Sequence, residues 1–200
     1  MLDNEIRDIV GDFKPARKFK FRSLIPYLVT AFLFSSVSFS VTFFLNTKTR
    51  EKEQILLVLH GGKAVDEVEL RKVIKSSGLN VYWVGPERGF KYVLDAAVTS
   101  TISIRYLPVG KKLGDTTISY REVGTFVSPD AFKVTQQAAH AQFGVGFVNA
   151  DGNAVFYDSR DPKNVYVGLK NKNIQVEIFD PRPDQSLAEV LMQGRIQKIT

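Results

Sequence analysis

Residues 23–45 read SLIPYLVTAFLFSSVSFSVTFFL, a run without Asp, Glu, Lys, Arg or His. At about 1.5 Å per residue such a run reaches roughly 34 Å, slightly more than a hydrocarbon core of about 30 Å. It has no polar face, whereas a globular helix normally keeps one. The pattern predicts a single transmembrane helix. An export signal is the alternative, with residues 24–34 as its apolar stretch and Ser36 and Ser38 beside a cleavage position. The continuation FSVTFFL outruns the roughly 7–15 apolar residues of such a signal and favours a retained anchor. Pro26 falls near the start, where its missing N–H costs least. Ala31, Ser35, Ser38 and Thr42 recur at helical spacing, a small and hydroxyl-bearing face suited to packing on another membrane helix.

Beyond residue 45 the pattern changes to short apolar clusters punctuated by turn residues. QILLVLH can form a strand or prolong the preceding helix. AVDEVELRKVIKSSG predicts an amphipathic helix with Val68, Leu70, Val73 and Ile74 inward and Gly78 at its end. NVYWVGPERGFKYVLDA reads as two strand-like runs joined in a hairpin at GPERG. TSTISIRYLPVG alternates, with Ile102, Ile104 and Tyr106 on one face, and TTISYREVGTFV is a further strand. SPDAFKVTQQAAHAQF predicts a helix capped by Ser128 and opened by Pro129, with Ala131, Val134, Ala138 and Ala141 toward a core. GVGFVNADGNAVFYDS and NVYVGLKNKNIQVEIFD read as hairpins through DG and KNKN, and their segments around Phe156, Val167 and Val176 share an antiparallel sheet. DQSLAEVLMQG predicts a short helix with Leu187, Val190 and Leu191 inward, ending at Gly194, and RIQKI a last strand. The expected fold is α+β: an N-terminal single transmembrane helix, then a small mixed domain of antiparallel hairpins and about three short helices. The expected boundaries are a tail at 1–22, the membrane helix at 23–45, a linker at 46–54 and the domain at 55–200.

Charge orients this arrangement. Lys14, Arg17, Lys18, Lys20 and Arg22 precede the apolar run without an intervening acid. Lys48, Arg50 and Lys52 follow it, interleaved with Glu51 and Glu53. Lys and Arg bias a flank toward the cytoplasm, which puts the N-terminus inside and the C-terminal domain on the extracytoplasmic side of the cell membrane. The basic cluster also suits anionic lipid headgroups. The net charge of +6 otherwise comes from mixed signs, which disfavours nucleic acid as a partner. The chain has no cysteine, which excludes disulfides and thiolate chemistry.

Catalytic motifs are absent. His60 and His140 have neither HExxH nor paired-His spacing, and no cofactor or metal is expected. The serines lack a GxSxG elbow, and the glycines of GVG and VGKKLG make no phosphate cradle. Asp158, Asp161, Glu177, Asp180 and Asp184 are the densest late acids, able to act as a catalytic pair only if folding converges them. VYWVGPERGFKYVL is the most distinctive stretch. Tyr82, Trp83, Arg88, Phe90 and Tyr92 make a candidate interaction surface around its glycine turn, although the same rings suit a small core.

The stretch VYWVGPERGFKYVL followed by ISIRYLPVG resembles uncharacterised single-pass membrane-anchored proteins of actinobacteria. The resemblance is carried by Tyr82, Trp83, Gly85 and Pro86 and then by Arg105, Tyr106, Leu107 and Pro108. It implies a bacterial membrane-anchored topology and supplies no activity and no catalytic residue. The expected role is a structural or protein-interaction component of the cell envelope or of a membrane complex, with lipid, a membrane-protein partner and a cell-envelope polymer as partner classes. The alternatives are an extracytoplasmic ligand- or glycan-binding module and a carboxylate-dependent enzyme.

Overall fold

The computed structural model describes residues 49–98, 100–114, 120–182 and 184–200. The chain divides into two units, Met1–Thr49 and Arg50–Thr200, and the architecture below is that of the second. The apolar run at 23–45, with its packing candidates Ala31, Ser35, Ser38 and Thr42, lies outside the described residues. No helix among the described residues is long and apolar enough to cross a membrane.

The expected α+β set of separate hairpins with about three short helices is corrected to one broad sheet with four helical segments. The helices are α1 (residues 49–59), α2 (Glu67–Ser77), α3 (Ala131–Ala138) and α4 (Gln185–Leu191). The strands are β1 (His60–Val65), β2 (Tyr82–Trp83), β3 (Phe90–Val98), β4 (Thr101–Pro108), β5 (Glu122–Val127), β6 (Gly144–Val148), β7 (Ala154–Asp158), β8 (Asn164–Gly168), β9 (Ile174–Phe179) and β10 (Gln197–Lys198). Eight of them form an antiparallel sheet in the order β1-β3-β4-β5-β9-β8-β7-β6, while β2 pairs with β10. Hairpins do form at DG and KNKN. The long-range pairing of β5 with β9 merges what local patterning left as separate pieces. The stretch at 49–54, expected as linker, is helical, and so is most of QILLVLH.

The GPERG break is a turn but does not make a hairpin. Val81, Tyr82, Trp83 and Val84 are buried on successive positions, without the alternation of a strand that has one wet face. A segment apolar on every side belongs inside. Accordingly β2 crosses the inner face of the sheet, tied to β5 where the Tyr82 N–H donates to Thr125 Oγ1 at 3.0 Å. β3 then pairs with β1 and β4 instead. On that inner face Ile102, Ile104 and Tyr106 of β4 are buried as their alternation predicts, beside Leu94, Val123, Val176 and Ile178. α2 adds Leu70, Val73 and Ile74, while Val68 is 78% exposed because it points away from that stripe. Asp66 caps α2 by accepting from the Glu69 N–H at 2.8 Å, and Gly78 ends it in the left-handed region at φ 64°.

α3 packs on the opposite face, against β6–β9. Its start is corrected from Ser128 to Ala131: the Ser128 N–H donates to the Asn173 carbonyl, and Asp130 occupies the cap position at φ 54° without a side-chain cap bond. Ala131 and Thr135 are buried, whereas Val134 and Ala141 are exposed. Gly168 explains this seating. A Cβ there would stand 2.4 Å from the Ala131 carbonyl oxygen, so only glycine lets the helix backbone settle on β8.

Trp83 sits at the centre of the inner layer. It packs edge-on against Tyr92 at 5.5 Å between ring centroids, Tyr92 against Tyr106 at 5.2 Å and Tyr106 against Phe90 at 6.4 Å. With no exposed surface, Trp83→Ala is expected to cost about 3–5 kcal/mol in chemical denaturation. Exposed Arg88 replaced by Ala should stay within about 0.5 kcal/mol of wild type. Equal effects at the two positions would contradict the burial pattern.

Candidate functional site

Strand register assembles the most unusual chemistry in the molecule. Glu122 of β5 pairs with Phe179 of β9. The next residues outward, Arg121 and Asp180, therefore stand opposite each other on the inner face. Arg121 is only 6% exposed and Asp180 is fully buried. The Arg121 Nε donates to Asp180 Oδ2 at 2.8 Å and its Nη1 to Glu87 Oε2 at 2.8 Å, with Glu189 Oε1 at 3.0 Å from the same nitrogen. Glu87 comes from the GPERG turn and Glu189 from α4. Two more guanidiniums complete the balance. Arg182 donates through Nε and Nη2 to Asp180, each at 2.9 Å, and Arg195 pairs with Glu189. Three carboxylates thus meet three arginines.

Tyrosines fix the turn that delivers Glu87. The Glu87 N–H donates to the Tyr92 hydroxyl at 2.9 Å, and the Tyr106 hydroxyl donates to the Gly85 carbonyl at 2.9 Å. Burial, more than any neighbouring charge, pushes both phenols above their ordinary pKa, so they act as neutral hydrogen-bonding groups. The Arg121 guanidinium lies 5.6 Å from the centroid of the Tyr106 ring, a cation–π contact beneath the ion cluster. Burial alone would push the Asp180 carboxyl up. Hydrogen bonds from the Arg182 side chain and backbone, and then from Arg121, outweigh it and hold the pKa below the usual carboxylate range.

A cleft of about 300 Å³ opens beside this cluster. Phe90, Tyr106, Pro108, Tyr120 and Pro181 supply apolar and aromatic walls. Lys111 and Arg182 add cations, and Glu87, Arg121 and Asp180 connect the cleft to the buried network.

The residues singled out from sequence distribute differently. Tyr82, Trp83 and Tyr92 are buried, Trp83 completely and Tyr92 to 2% exposure, which corrects the candidate contact surface at GPERG. The Tyr82 hydroxyl is engaged from outside by Lys172 at 2.8 Å. Arg88 is exposed, and Phe90 is half-buried and alone of the five reaches the cleft. The five late acids do not converge. Asp180 faces the inner side of the sheet. Glu177, three residues earlier and of opposite alternation, faces the outer side beside Tyr166. Burial first, and then the Glu122 charge, push the Glu177 carboxyl up against the hydrogen bond from Tyr166. Asp158 is drawn down to about 2 by the Arg160 side chain and backbone, while Asp161 and Asp184 are exposed. His60 and His140 are exposed, and no group of His, Asp and Glu able to hold a metal occurs among the described residues.

Sequence reasoning missed Arg121, Glu87, Glu189, Arg182 and Lys111. One signal was present: Arg121, Val123 and Thr125 share one side of β5, so a guanidinium occupies an otherwise inward row. Comparison of the chain with protein-family models, with curated proteins and with solved structures finds no match.

Two outcomes test the cluster. Arg121→Met leaves three carboxylates short of a partner and should lower unfolding stability by about 3–5 kcal/mol. Loss of less than about 1 kcal/mol would show that the carboxylates find other partners. Asp180 has a folded-state pKa below its unfolded value of about 3.9, so its contribution is present above that value and disappears as pH falls through the lowered one. As pH falls below about 4, wild type should therefore lose denaturation midpoint more steeply than Asp180→Asn. Parallel profiles would remove Asp180 from the acid response.

Proposed function

We propose that the chain is a ligand-binding module that takes a small apolar or aromatic group into the cleft between β3, β4 and the segment after β9. The observation that carries this reading is the cleft's wall of Phe90, Tyr106, Pro108, Tyr120 and Pro181 set against a rigid, charge-balanced floor. Apolar walls with a few placed polar groups are the usual composition of a small-molecule site. The acids at this site favour recognition over catalysis, because each is held by at least one arginine and none is left poised as an acid–base pair.

The sequence adds a location to this reading. In this reading the apolar segment at 23–45 is a membrane tether, and the flanking basic residues favour the extracytoplasmic side for the domain. An envelope module that captures a small ligand fits that topology better than a protein-docking role for GPERG, whose large rings are inside.

Phe90 supplies the test because it lines the cleft while only half-buried. A panel of singly fluorinated benzene derivatives, neutral and charged, is titrated into the full chain in detergent and followed by fluorine NMR. At least one member should bind, and Phe90→Ala should weaken it about tenfold, the effect of losing one to two kcal/mol of apolar contact. Undiminished binding by a folded Phe90→Ala protein, or no binding by any member, defeats the reading.

A further inference from the structure

The charges around the cleft carry the ligand's chemistry further, on the assumption that the cleft binds a ligand as proposed above. Among the described residues its lining holds three cations, Lys111, Arg121 and Arg182, against two carboxylates, Glu87 and Asp180. Arg121 is consumed by the buried network. Arg182 is not: its Nε and Nη2 edge grips Asp180 and its backbone N–H donates to the same carboxylate at 3.0 Å. Nη1 has no partner among the described residues, and the side chain is 59% exposed. A guanidinium anchored along one edge by a buried carboxylate retains a second edge with fixed geometry. Lys111 has no ion-pair partner among the described residues. Its backbone N–H closes a turn onto the Pro108 carbonyl at 3.1 Å, which fixes the point on the cleft wall from which this side chain extends.

We propose that the cleft selects a small aromatic carboxylate, with its ring against Phe90, Pro108 and Pro181 and its carboxylate on Arg182 Nη1 and Lys111 Nζ. Three features converge on this chemistry. The aromatic and proline walls accept a planar apolar body. The surplus cation disfavours a positively charged ligand and favours an anion. The volume of about 300 Å³ lies at the small end of ligand sites and suits one ring with a short acidic substituent better than a length of peptide or glycan. Asp180 has a distinct part in this arrangement: it orients Arg182 for the ligand while remaining paired to Arg121 behind it, so the two arginines divide anchoring from recognition.

The probes are 4-fluorobenzoate and 4-fluorobenzamide, nearly equal in shape and different in charge, titrated into the full chain in detergent and followed by fluorine NMR. The benzoate should bind about tenfold more tightly, the scale of one charge-assisted hydrogen bond over a neutral one. Arg182→Gln should reduce that preference to about twofold or less, and Lys111→Gln should reduce it in part. Equal wild-type affinities, or a preference that survives both substitutions, overturn the proposed selectivity while leaving the cleft as a binding site. Failure of both probes to bind overturns the cleft reading and the selectivity together. Retention of both affinities in Phe90→Ala places the ring elsewhere and overturns the assignment. A short acidic peptide without an aromatic ring that binds more tightly than 4-fluorobenzoate overturns the choice of a small acid.

Discussion

The buried Arg121 guanidinium is the constraint around which this end of the molecule is arranged. An isolated cation cannot be removed from water at acceptable cost, so carboxylates must be brought to it with good geometry. Here they arrive from three distant parts of the chain: Glu87 from the turn before β3, Asp180 from the end of β9 and Glu189 from α4. One side chain thereby ties the GPERG turn, the β5–β9 seam and the C-terminal helix to a common point. Exchanging a whole buried ion cluster for apolar side chains is often neutral or stabilising. The significance of this one is therefore positional. A slip of β5 against β9 by one residue would turn Arg121 or Asp180 to the outer face and break the ion pair between them.

The aromatic layer and the ion cluster depend on each other. Trp83, Tyr92, Tyr106 and Phe90 form a continuous edge-to-face path from the middle of the core to the cleft. The hydroxyls of Tyr92 and Tyr106 satisfy backbone groups of the GPERG turn, and that turn carries Glu87 to Arg121. A ring pattern that resembles an exposed recognition surface in sequence thus acts inside the fold. Buried rings set the turn, the turn sets a carboxylate, and the carboxylate helps fix the cation beside the cleft. The cleft wall is formed where this path runs out of interior, at Phe90.

Local periodicity made much of the secondary structure legible and little of the site. β4 announced itself through Ile102, Ile104 and Tyr106, α2 through Leu70, Val73 and Ile74 with its Gly78 stop, and two hairpins through DG and KNKN. The errors share a physical cause: they concern residues whose environment is set across the sheet. Val81–Val84 has no alternation, and the burial of all four positions could be recognised only once the strand was known to cross a core face. The GPERG glycines correctly indicated a reversal, but a reversal does not choose partners. Ser128 has a capping side chain and an appropriate following proline. Pairing of its N–H with the Asn173 carbonyl extends the sheet edge past it and delays the helix to Ala131. Arg121, Glu87 and Glu189 are scattered over the chain, so no spacing rule can join them. The late acids were conspicuous by proximity in sequence, and strand alternation then sent Glu177 and Asp180 to opposite faces.

That separation bears on chemistry as well as on prediction. Two carboxylates work as a catalytic pair when their environments push their proton affinities apart and leave one accessible proton between solvent and substrate. Glu177 is pushed up and Asp180 is held down, yet the sheet itself stands between them. Asp180 is also committed to two guanidiniums, so it is already saturated as an acceptor. The same commitment that makes it a poor acid or base makes it an effective anchor. A carboxylate that will not exchange its partners holds Arg182 in one pose, and a cation held in one pose loses less conformational freedom when it meets an anion. The ion cluster therefore has a buried half that is fully paired and an exposed half, at Arg182, that the proposed recognition at the cleft would use.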